Sequence, residues 1–90
     1  MDDDISRRYT QERETMQRVF ASLSVKKTKY SGEFFEMAHN YYNDSYYFFK
    51  KGDVTRAFEA IVISWSYIDA GLKLGMFSLP QELHTFFTQG

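Results

Sequence analysis

An all-α fold is predicted by three observations. One proline and five isolated glycines leave three long stretches unbroken, apolar residues recur at helical spacing within those stretches, and cap-forming residues stand at their starts. With 90 residues, 43% apolar and 19% aromatic, the chain has material for one hydrophobic core, so residues 1–90 are expected to form one domain. The absence of cysteine excludes a disulfide framework or a thiolate zinc site and suits a cytoplasmic chain. Met1-Asp2-Asp3-Asp4 is acidic where a secretory signal is basic. No run reaches the roughly 18 apolar residues of a membrane span, so no membrane association is expected. Eleven basic against twelve acidic residues give a net charge of −1, which provides no overall field for nucleic acid.

The first helix is predicted from about Ile5 to Leu23, capped by Asp3 or Asp4. Ile5, Tyr9, Met16, Val19 and Leu23 form its apolar stripe, and Arg7, Glu14, Gln17 and Arg18 the solvated side. Ser24 to Tyr30 loses the periodicity and reads as a polar, basic connection. Ser31 is a competent cap for a second helix ending at Lys51, which Gly52 closes. The apolar arc of this helix, Phe34, Phe35, Met37, Ala38, Tyr41, Tyr42, Phe48 and Phe49, approaches half the circumference, more than one neighbour covers. Asp53 caps a third helix, Val54 to Leu74, apolar nearly all round except for a wedge of Thr55, Glu59, Ser66 and Lys73. Ala57, Ala60, Ser64 and Gly71 give it a stripe of small residues that permits close approach. After Gly75, Ser78-Leu79-Pro80-Gln81 has a capping-box pattern. It predicts a short fourth helix with Leu79, Leu83, Phe86 and Phe87 laid across one end, and frayed residues after it. The architecture expected is an antiparallel up-and-down bundle of three long helices plus a short C-terminal helix.

From Ala38 to Phe77 the order Ala-x-x-Tyr-Tyr-x-Asp-Ser-x-x-x-Phe-x-Lys-Gly-Asp-x-x-x-Ala, followed by Trp65, Asp69-Ala70-Gly71, Leu74-Gly75 and Phe77, resembles the archaeal family called domain of unknown function 357. Ser45 stands where that family usually has Ala, and Tyr67 takes the usual Trp position, with Trp65 two residues earlier. The resemblance implies a small antiparallel helical bundle, archaeal and cytoplasmic, with no assigned activity.

Candidate chemistry is sparse. Glu36 and His39 have the Glu-x-x-His spacing of di-iron bundles, but such a site needs a second motif of this kind and two further Glu, whereas this chain has only two His, His84 falls in the end helix and Glu36 projects opposite the apolar arc, so no metal or cofactor is expected. Asp69 falls beside Phe58, Val62 and Trp65 on a side meant for burial. It is read as a buried structural or ligand-contacting acid needing a partner. Asp44 carries the same alternatives at the margin of the second helix's arc, and Glu12 interrupts the stripe of the first. No Cys, no paired Ser and His, and no glycine-rich loop supply a nucleophile or a phosphate cradle, so catalysis is not expected. Lys26, Lys27 and Lys29, with Tyr30 alongside, are weak candidates for phosphate contacts. Lys50 and Lys51 would lie at the far end of the bundle and break up any basic patch.

The pairs Tyr41-Tyr42 and Tyr46-Tyr47 send some rings outside the core. Tyr47, Ile63 and Tyr67 form the candidate interface, because Tyr buries area while keeping its hydroxyl bonded. The leading expectation is a non-enzymatic protein-interaction module that self-associates, by default as a dimer, with an unidentified protein partner also possible. The alternative is a nucleic-acid or nucleotide-binding accessory protein using the Lys26–Lys29 loop.

Overall fold

The computed structural model describes residues 3–87. Three helices of 20 residues carry the fold: α1 (Asp3–Ser22), α2 (Ser31–Lys50) and α3 (Val54–Lys73). Two-residue strands β1 (Ser24–Val25) and β2 (Phe77–Ser78) and a 3-10 helix (Gln81–Phe86) complete the order. The chain is thus mainly helical.

The α2–α3 hairpin follows local signals. Gly52, at φ 84°, takes the left-handed conformation that closes α2. The Asp53 side chain then accepts from the Arg56 N–H at 3.1 Å and caps α3. The small-residue stripe does what its composition allows: Ala57, Ala60, Ser64 and Gly71 are all buried, and the Ser64 hydroxyl donates to the Ala38 carbonyl of α2 at 2.6 Å. That distance sets the backbones close enough for side chain to reach main chain across the seam. Thr55, Glu59, Ser66 and Lys73 lie exposed as the wedge predicts, but Val62 and Ile63 are exposed with them.

Helix α1 approaches α3 closely along its backbone and meets α2 through longer side chains. Tyr9, Met16 and Val19 are buried. The Tyr9 ring stacks on Phe49 at 4.7 Å, Phe20 meets Phe35 edge-on at 5.8 Å and tilts against Tyr42 at 5.1 Å. These are favoured aromatic geometries. The Tyr9 and Ser45 hydroxyls lie 3.0 Å apart, and Ser45 donates to the Tyr42 carbonyl at 2.7 Å. Its single proton is therefore committed, and Tyr9 is the donor of the pair. Burial holds the Tyr9 phenol above its ordinary value of 10.0.

Several expectations need correction. Helix α1 begins at Asp3, so Asp3 and Asp4 lie in its first turn and the position before them is outside the described residues. Ser24–Tyr30 is not all irregular: Ser24 and Val25 pair antiparallel with Ser78 and Phe77, and the Lys26 N–H reaches the Met76 carbonyl at 2.8 Å. Ser31 does not cap α2. It is buried, with its hydroxyl 2.5 Å from the Lys26 carbonyl and accepting from the Thr28 N–H at 3.1 Å, so it fastens the β1–α2 connection while Tyr30 holds the cap position. Because β2 takes Ser78, no capping box forms. Pro80 precedes the last helix, which is 3-10 rather than α. Leu79, Leu83 and Phe87 are nonetheless buried, with Phe87 against Trp65 at 5.1 Å. The fraying expected at the C-terminus falls on 88–90, outside the described residues.

Candidate functional site

A chemically distinctive concavity of about 590 Å³ lies between α1 and α2. Helix α2 and its C-cap Lys51 supply two rows spaced by four residues, Tyr42, Tyr46, Lys50 and Asn43, Tyr47, Lys51. Such spacing stacks side chains on one helix face. Helix α1 supplies Arg13, one turn beyond the buried anchor Tyr9, and all seven residues line the cleft. Three cations, three tyrosines and one amide therefore share it, with no carboxylate among them.

The cations rest on the rings. The Arg13 guanidinium sits 4.2 Å from the Tyr46 ring centre and 5.9 Å from that of Tyr42. Lys50 approaches Tyr46 at 5.3 Å, and Lys51 approaches Tyr47 at 5.4 Å. Each such contact contributes about 0.5–1 kcal/mol at an exposed site. Among the described residues none of the three forms a salt bridge, and the buried Nε of Arg13 has no hydrogen-bond partner. Cations held by ring faces, without a countercharge, retain capacity for an anion.

Two smaller clefts hold residues singled out in the sequence. Glu12 lines one of about 270 Å³ between α1 and α3, with Arg8 and Trp65. Asp44 and Ile63 line one of about 200 Å³ between α2 and α3, with Arg56 and Glu59. Asp44 itself is exposed. Asp69 is partly exposed on α3, its carboxylate 2.9 Å from Lys73 Nζ one turn on. The buried acid expected from the periodicity is thus an i,i+4 pair at the helix surface, a class contributing about 0.3–0.5 kcal/mol.

The candidate interface residues do not share one cleft. Tyr47 is 58% exposed and lines the cationic cleft, whereas Tyr67 is half-buried in the α2–α3 seam, edge-on to Phe34 at 5.6 Å and stacked on Tyr41 at 6.2 Å. Lys26, Lys27 and Lys29 are exposed, with Lys29 lying over its neighbour Tyr30 at 5.3 Å. Glu36 is exposed, and His39 packs between Phe20 and Phe35 with Nδ1 3.3 Å from Asn43. Among the described residues no group of three or more His, Cys, Asp or Glu could hold a metal ion. No described helix is long and apolar enough to cross a membrane.

The model of the family described as "Protein of unknown function (DUF357)" matches residues 7–77. The chain belongs to the DUF357 family. The fold is also similar to the crystal structure of the DUF357 protein AF1782 from Archaeoglobus fulgidus, with a TM-score of 0.78 at 25% identity over 88% of this chain and 97% of that one. No functionally curated protein matches the chain. Every residue of the cationic cleft falls within the DUF357 match. Reading the sequence alone missed Arg13, Tyr42, Tyr46, Lys50 and Lys51 as a group. The one signal available was the paired i,i+4 spacing of 42, 46, 50 and 43, 47, 51.

Proposed function

We propose that this domain works by binding rather than by catalysis, as an interaction module whose working surface is the cleft between α1 and α2 and whose ligand is an anion. The observation that carries this reading is the lining itself: Arg13, Lys50 and Lys51 on tyrosine faces with no carboxylate present. The contacts of Tyr9 with Phe49 and of Phe20 with Phe35 support three helices running up, down and up, which is how Arg13 comes to face Tyr46. The lack of cysteine and the archaeal relative support a cytoplasmic, archaeal setting.

Calorimetry with inorganic pyrophosphate at low salt tests the site. Binding should weaken at least about tenfold when Arg13, Lys50 and Lys51 all become Gln, about 1.4 kcal/mol. It should survive when Lys26, Lys27 and Lys29 become Gln. The opposite pattern would transfer the anion site to the Lys26–Lys29 loop and favour the accessory role in nucleic-acid or nucleotide binding.

Self-association is a second reading, supported by Val62 at 44% and Ile63 at 38% exposure side by side on α3. A two-fold dimer is the default arrangement. Light scattering at micromolar concentration should then report at least twice the 10.7 kDa chain mass, and Ile63→Glu should give a folded monomer. Tyr67 is unsuitable for this test because its ring packs against Phe34 and Tyr41. Wild-type chain that scatters as a monomer would overturn the reading.

A further inference from the structure

We infer that the cleft between α1 and α2 is a nucleoside diphosphate site, with the diphosphate held by Arg13, Lys50 and Lys51 and the base stacked on Tyr47. This rests on the anion-binding reading above and narrows it to one class of ligand.

Charge comes first. A nucleoside diphosphate carries about three negative charges at neutral pH, the terminal phosphate contributing nearly two, and the cleft offers three cations without an acid among its lining residues. Arginine matches phosphate oxygens with two parallel N–H donors, and lysine acts as a mobile point charge. Each cation is held only by a ring face, at 4.2 to 5.4 Å from its nearest ring centre. Moving a flexible lysine from ring to phosphate breaks no ion pair.

The rings set the second requirement. A bare phosphate needs neither three tyrosines nor about 590 Å³, a volume in the usual range for small-molecule sites of roughly 300–1,000 Å³. Tyr47 is the most exposed of the large aromatic residues, at 58%. An exposed ring beside a cation is the arrangement on which nucleobases stack irrespective of sequence. Asn43 adds amide donors and an acceptor at the same wall.

The position of the site favours a small ligand over a nucleic-acid strand. Lys50 and Lys51 stand at the end of α2, whereas Lys26, Lys27 and Lys29 precede its start. A 20-residue helix separates them by about 30 Å. The intervening face carries the Phe35 and His39 rings rather than a basic track, so a strand would meet cations at its two ends alone.

Calorimetric titration of the full chain with ADP, pyrophosphate and adenosine separately, at low salt, tests this. ADP should bind about tenfold more tightly than either fragment. Tyr47→Ala should bring ADP down to the affinity of pyrophosphate, the loss for ADP being about tenfold and that for pyrophosphate, which loses only the ring under Lys51, several-fold smaller. Pyrophosphate binding as tightly as ADP would overturn the nucleotide inference and leave the anion-binding reading standing. Absence of binding by both would overturn the two together. A single-stranded oligonucleotide binding more tightly than ADP, with loss of affinity in the Lys26, Lys27 and Lys29 variant, would overturn it in favour of a nucleic-acid strand.

Discussion

Tyr9→Ala should destabilise the fold by about 3–5 kcal/mol, the range for deleting a buried aromatic side chain. At about 4–8 °C per kcal/mol for a domain of this size, the melting temperature falls by tens of degrees. The effect is large because α1 is joined to α2 through long side chains, and Tyr9 supplies both the stack on Phe49 and the hydroxyl that meets Ser45. The two contributions separate. Ser45→Ala leaves the buried Tyr9 O–H without its acceptor and should cost about 1–3 kcal/mol, whereas adding Tyr9→Phe removes the orphaned donor and recovers much of that loss. The same burial predicts a pH dependence. The folded phenol keeps its proton above 10.0, where the unfolded chain releases it. Its contribution is therefore fully present below pH 10 and lost as pH rises from there through the raised folded value. Urea midpoints of wild type and Tyr9→Phe, compared between pH 8 and pH 11, should diverge in that window, with the wild type falling faster; parallel curves would place the phenol in solvent.

Gly71→Ala should also destabilise, against the usual trend for glycine inside a helix. A Cβ at this position would lie 2.3 Å from two ring carbons of Phe77. Phe77 is itself buried and fixed by the pairing of Val25 with β2, so the ring cannot swing away freely. Overpacking of this kind costs about 1–3 kcal/mol, and the gain in helix propensity offsets at most about 1 kcal/mol. Gly71→Val should lower the melting temperature further. If Gly71→Ala raises it instead, β2 yields more readily than its contacts imply.

What the sequence made legible was local. The turn at Gly52, the Asp53 cap and the small-residue stripe of α3 are each decided within a few residues by φ preference, capping chemistry and side-chain size. The strands escaped because two residues carry no period, and their pairing joins Val25 to Phe77 across the whole hairpin. Ser31 departs from the capping role its residue type predicts because its hydroxyl is claimed by the carbonyls of the β1–α2 connection, a competition that a capping preference does not register. Asp69 follows the buried Ile68, and one residue is a turn of about 100°, enough to carry a carboxylate from the seam to the edge where Lys73 meets it. The cleft was hidden for a different reason. Its α2 rows were visible as spacing, but their meaning depends on Arg13, which reaches Tyr46 only after α1 packs through Tyr9 and Phe20. With Arg13 absent, the same tyrosines read as surplus core or as an interface.

On the proposal above, the face shared by α1 and α2 is where this domain meets an anion. The most direct measurement is the backbone amide spectrum of the isotopically labelled chain during titration with pyrophosphate at low salt. Shifts concentrated at Arg13 and along residues 42–51, saturating together, are the predicted result. Shifts concentrated at residues 24–30, or a spectrum unmoved at excess pyrophosphate, would contradict it.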